Sequence, residues 1–144
     1  VANNHVDSLE PVADLPQLDL LVVSTNPIED LEPIAGLTNL KKLYLAETQV
    51  RDLTPIQTLT GLKAIVLTDL QVDRIDLAPL ATLPNLYMLN AGQSQAEIVN
   101  LRSLAEIPGP KAGRGQLELV PSENIPEEDI AYLRKELPGC AFYL

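Results

Sequence analysis

The chain has 144 residues, enough for one domain, and its core must be aliphatic, because hydrophobic residues make up 46% but aromatics only 3%, with no Trp. A net charge of −10 opposes phosphate backbones and anionic membranes, and one His with one Cys is too few for an ordinary zinc site or an intramolecular disulfide framework. No apolar run approaches the ~18 residues of a membrane span, so neither nucleic acid, membrane insertion, metal nor cofactor is expected.

In chain order the elements repeat. Val1 falls at the second inward position of a strand, so the chain begins in mid-repeat. A parent with more repeats, a partner over that uncapped edge, or self-association through it is expected. Leu18 then opens LDLLVVSTNPI, Leu40 LKKLYLAETQV, Leu62 LKAIVLTDLQV and Leu86 LYMLNAGQSQA, the leading leucines lying 22, 22 and 24 residues apart. Each segment has the form L-x-x-L-x-L-x-x-N-x-I. Asn26 holds the ninth position, and Thr48, Leu70 and Ser94 replace it later, which predicts a weaker ladder there. The closing apolar residues are Val6, Ile28, Val50, Val72 and Ala96, the last displaced by a two-residue insertion around Arg74 to Asp76. Pro11, Pro33, Pro55 and Pro79 recur in a second series.

The physics of one unit is direct. Alternating Leu43 and Leu45, or Ile65 and Leu67, predict a short strand with inward side chains. A Pro about five residues past the closing residue suits the first turn of a short helix, where its fixed φ and missing N–H cost nothing. One unit cannot bury its apolar face alone, but a stack of units buries a continuous core.

These residues resemble the leucine-rich repeat family, in the 22-residue class typified by bacterial internalins. PIAGLTNLKKLYLAETQVRDLTPIQTLTGL, from Pro33 to Leu62, is nearly the consensus of that class, and the resemblance runs from Val1 to about Ala96. It implies an α/β fold: a right-handed leucine-rich repeat solenoid with a parallel β-sheet on the concave face and short helices or 3₁₀ turns on the convex face. One domain over residues 1–144 is expected, with regular repeats over 1–96.

Beyond Ala96 the register loosens. Residues 97–120 read as an irregular repeat in which Ile98, Leu101, Leu104 and Ile107 predict a longer convex helix, followed by a Gly/Pro loop at 108–115. This loop, PGPKAGRG, lacks the Lys-Ser or Lys-Thr of a phosphate-binding loop. It reads as a mobile insertion or as a binding loop at the solenoid end. QLELV (116–120) is the next strand. Residues 121–144 read as a capping repeat, with acids Glu127, Glu128 and Asp129 opening a helix, Arg134 and Lys135 closing it, and Ala141 to Leu144 as a final strand. That ending is similar to the last unit of many bacterial leucine-rich repeat proteins.

Catalytic constellations are not found. His5 and Cys140 lie at opposite ends of the stack, and the acid runs Glu29-Asp30-Leu31-Glu32 and Glu127-Glu128-Asp129 fall on turns, where no cleft separates their proton affinities. Residues 1–32 hold Asp7, Glu10, Asp14, Asp19, Glu29, Asp30 and Glu32 and no Lys or Arg. This is a solvated face or an electrostatic footprint for a basic partner.

The concave face is the most informative set. Leu20, Val22, Tyr44, Ala64, Val66 and Met88 form an apolar strip, flanked by Lys42 on one side and Glu47 and Asp69 on the other, with Asn90 ending the Val22 column. A solvated sheet face would be mostly polar, whereas an apolar centre with a polar rim is how protein interfaces are built. The expected function is therefore a non-catalytic module that binds a protein partner through this sheet. Two alternatives stand beside it: an acidic inhibitor or immunity-type protein neutralising a basic toxin or enzyme, and a structural or assembly segment of a larger surface protein. No targeting signal is read at the start, so the compartment stays open between a bacterial surface, secretion and the cytoplasm.

Overall fold

The computed structural model describes residues 5–108, 118–120 and 125–142. The Gly/Pro loop beyond Pro108, Gln116 and Leu117 of the QLELV segment, and the last two residues of the closing strand lie outside that set.

Strands β1 (Leu20–Val22), β2 (Lys42–Tyr44), β3 (Ala64–Val66), β4 (Arg74–Asp76), β5 (Met88–Asn90), β6 (Glu97–Val99), β7 (Glu118–Val120) and β8 (Ala141–Phe142) are all short. Six of them form one parallel sheet in the order β1-β2-β3-β5-β7-β8. Each repeat pairs with the next without offset, as in Leu21↔Leu43, Leu43↔Ile65 and Ile65↔Leu89. The middle residues of these strands are inward and buried, which accounts for the spacing of the leucines.

The strands end where the backbone turns left-handed. Thr25, Glu47, Asp69 and Gln93, the eighth residue of each repeat, have φ of 59°, 56°, 51° and 59°. None is Gly, so each carries a steric cost that the stack must hold in place. Two amides at this corner pair with the following repeat, Thr25 N–H to the Ala46 carbonyl at 2.8 Å and Glu47 N–H to that of Thr68 at 2.9 Å.

The convex side is built from 3₁₀ helices at Glu10–Val12, Glu32–Ile34, Thr54–Thr58, Ala78–Thr82 and Leu101–Glu106, the first four with Pro in the first turn. Asp30, Asp52 and Asp76 each accept the N–H two residues on at 2.8 Å, and Ser8 does so at 3.2 Å. These turn acids therefore cap the convex elements in addition to meeting solvent. Between repeats, the Asn39 amide donates to the Pro16 carbonyl and that of Asn85 to Thr60. Gly61 holds the same phase between them, and a Cβ there would stand 2.6 Å from the Thr38 carbonyl oxygen.

The closing-turn ladder weakens as expected. The Asn26 side chain accepts the Val6 N–H and donates to the Val23 and Ser24 carbonyls at 2.9–3.0 Å. Thr48 keeps one of these bonds, to Leu45, and Leu70 is a buried hydrocarbon, while the Ser94 hydroxyl accepts the Ala96 N–H at 3.2 Å.

One expectation needs correction. Ile98 does not open a long convex helix. It lies in β6, which pairs in parallel with β4 (Ile75↔Ile98) as a second, two-stranded sheet. The helix proper starts at Leu101 after Asn100, whose φ is 57°. A three-residue apolar spacing is the 3₁₀ period, and it cannot tell where the helix begins. The insertion at Arg74 to Asp76 supplies the partner strand. Helix α1 (Glu127–Glu136) has its acids first and bases last, and buries Ile130 and Leu133, with Leu137 buried just beyond it. Arg102 ties it down through Asp129 and Glu128 and lies 5.2 Å from the Tyr132 ring centroid.

Candidate functional site

The parallel register turns each outward position into a column across the sheet. Leu20, Lys42, Ala64 and Met88 make one column, and Val22, Tyr44, Val66 and Asn90 the next. Backbone spacing between neighbours in a column is about 4.8 Å, so these side chains share one surface. Leu20 is 45% exposed, Val22, Tyr44, Val66, Met88 and Asn90 are half-buried, and Lys42, Glu47 and Asp69 are exposed. The Asn90 carboxamide oxygen accepts the Gly92 N–H at 3.1 Å, which aims its NH₂ away from that turn.

Ala64 departs from the expected strip. It sits in its column but is only 1% exposed, so it offers a partner almost no surface. It is a single methyl group flanked in register by the longer side chains of Lys42 and Met88. The apolar patch is thus Leu20 on one margin, Met88 on the other, and Val22, Tyr44 and Val66 through the middle.

The structure also adds residues that the strip omitted. The position before each strand forms its own column, Asp19, Lys41, Lys63 and Tyr87, all exposed and continuous with the strip. The Asp19 carbonyl accepts the Lys41 and Lys42 amides at 2.8 and 3.1 Å, and the Lys41 carbonyl accepts those of Lys63 and Ala64 at the same distances. The 22-residue phase contains this column, one position ahead of the strand residues. A shallow apolar hollow lined by Asp14, Leu15, Pro16, Gln17 and Leu18 lies in the connection leading to β1.

Nothing of this geometry gathers reactive groups. Burial pushes the Cys140 thiol up to about 11, so it stays protonated at neutral pH, and His5 is an exposed turn residue. The Thr54 hydroxyl and amide hold the Asp52 carboxyl below its ordinary value, a turn-capping arrangement on the convex side. Among the described residues, no group of three His, Cys, Asp or Glu could hold a metal ion, and no helix is long and apolar enough to cross a membrane.

No protein-family profile and no curated protein sequence matches the chain. Solved structures do. The chain is similar to internalin C2 of Listeria monocytogenes, with 27% identity and a TM-score of 0.75, over 99% of this chain and 57% of that one. A leucine-rich repeat protein of Leptospira interrogans matches with a TM-score of 0.75 and 22% identity, over 96% of this chain and 34% of its own. An internalin of L. monocytogenes, InlF, matches with a TM-score of 0.54 and 24% identity, over 92% and 43%. This chain therefore spans little more than half of the first and about a third of the second. Its fold is that of a bacterial internalin-like leucine-rich repeat, the solenoid that its repeat phase implies.

Proposed function

We propose that this internalin-like leucine-rich repeat chain is a non-catalytic binding module that recognises a protein partner through its concave sheet. The observation that carries the reading is the in-register patch of Val22, Tyr44 and Val66, each half-buried, on a sheet face open to solvent. The half of each side chain still facing water gains nothing from folding, but it gains about 25 cal/mol per Å² when a partner covers it. Tyr44 supplies a rigid anchor at low entropic cost, and the charged margins orient the partner. The similarity to internalin and leucine-rich repeat structures supports a protein-interaction role at the general level.

The test is a photo-crosslinking residue at position 44, compared with one at convex Gln57, in cells that express the natural partner. The same protein should be captured through position 44 alone. Titration of that protein should then weaken about tenfold or more for Tyr44→Ala and for Val66→Glu. Unchanged affinity in both variants rejects the concave-face assignment.

The acidic inhibitor reading has its own support. Asp7, Glu10, Asp14, Asp19, Glu29, Asp30 and Glu32 are all exposed over the first repeats. It requires capture of a basic protein through this region, with an association rate that falls steeply as salt rises.

A further inference from the structure

The proposed binding face is electrically polarised along its strands. On its leading rim, Lys41 and Lys63 stand one repeat apart, and Lys42 heads β2 beside Lys41; all three are exposed. On its trailing rim, Glu47 and Asp69 stand one repeat apart on the left-handed corners, also open to solvent. Glu47 comes six residues after Lys41, beyond β2 and on its exit turn, so the two rims bracket the strands. Between the rims lie Val22, Tyr44 and Val66.

Like charges facing each other across neighbouring strands repel. None of the three lysines forms an ion pair with a described residue, although the chain holds 20 acids against 10 bases. Asp19 continues their column yet stays outside ion-pair distance. A cationic rim left uncompensated in so acidic a chain is complementary to an anion from outside. The apolar centre beside it and the acidic margin beyond fit an anion carried on an amphipathic protein segment.

We infer that the leading rim docks a carboxylate-bearing segment of the protein partner. Its acids lie against Lys41, Lys42 and Lys63, and its aliphatic or aromatic side chains on Val22, Tyr44 and Val66. It carries no acid, and carries a base if anything charged, opposite Glu47 and Asp69. The inference rests on the concave-face reading and adds the chemistry and direction of what binds there.

A displayed library of random dodecapeptides, selected on the whole chain at low salt, tests this whatever the identity of the partner. Enriched peptides should carry Asp or Glu on one side of an apolar pair. Their affinity should fall about tenfold or more in the triple variant Lys41→Glu, Lys42→Glu, Lys63→Glu, and partway in Lys41→Gln, Lys63→Gln. Unchanged thermal unfolding of both variants, expected for exposed side chains, ties the loss to docking. Enrichment in Lys and Arg, or no enrichment at all, overturns the inference. Peptides that lose affinity on Tyr44→Ala but bind the triple variant normally also overturn it, while leaving the concave-face reading standing. Peptides insensitive to both sets overturn the two together.

Discussion

The three repeats from Leu18 to Val72 and the region from Arg74 onward solve the same problem by different means. In the first region every repeat presents an aliphatic residue at the same inward phases, and the sheet register copies it: Leu21, Leu43 and Ile65 stack, as do Val23, Leu45 and Leu67. In the second, the same sheet continues through β5, β7 and β8, and contacts that occur once are added to it. A two-stranded sheet joins β4 to β6, a six-residue 3₁₀ helix replaces the shorter ones, and Arg102 clasps α1. A stack held by repeated nearest-neighbour contacts is strong in its middle, whereas a terminus held by single contacts opens locally.

Four sets of substitutions break or sharpen this contrast, in falling order of effect. Leu43→Ala removes a side chain with no exposure from the middle of the stack and should cost about 2–5 kcal/mol, read from denaturant unfolding. Ile130→Ala in α1 should instead accelerate hydrogen exchange near α1 while leaving the β1–β3 amides protected. Equal spread of both effects through the chain would remove the distinction.

Gly61→Ala forces a Cβ against the Thr38 carbonyl and should cost about 1–3 kcal/mol, whereas Gly36→Ala meets nothing within 4 Å and should leave the midpoint almost unchanged. The pair isolates close approach between repeats from any general effect of glycine. Asn26→Ala strands the Val6 amide and two carbonyl contacts, at about 1–2 kcal/mol, and Thr48→Ala, with one bond to lose, should cost about half as much. Similar losses at the two positions would show that the ladder is not graded as its bonds suggest.

The smallest effect is at Asp52. Its carboxyl is held below the ordinary value, first by the Thr54 hydroxyl and then by the Thr54 amide. Its contribution is therefore complete above the unfolded-state pKa, near 4, and disappears as pH falls through the depressed folded value. The group is exposed, so solvent screening keeps this under about 1 kcal/mol. Asp52→Ala should lessen the acid-side slope of the unfolding free energy by that share, and a slope left unchanged assigns it to other carboxylates.

Much of this is legible in residue phase. A 22-residue period names the inward leucines, the Pro in each 3₁₀ turn and the outward columns, because a parallel sheet without offset copies sequence phase directly into space. The Asp30, Asp52 and Asp76 caps are equally periodic, yet an acid on a turn looks the same whether it caps an amide or only meets water. The strand at Ile98 is hidden for a related reason: β6 exists only because β4 offers it a partner 23 residues earlier.

Sequence alone determined which residues share a column, since that follows from repeat length, and it determined that the columns of Val22 and Leu20 are largely apolar. Tertiary structure decided how much of each residue a partner can reach. Ala64 and Val66 are two residues apart on the same face of the same strand, yet Ala64 is covered and Val66 is half-open. Exposure depends on the lengths of the neighbours in adjacent repeats, a property of the assembled sheet that no single repeat contains.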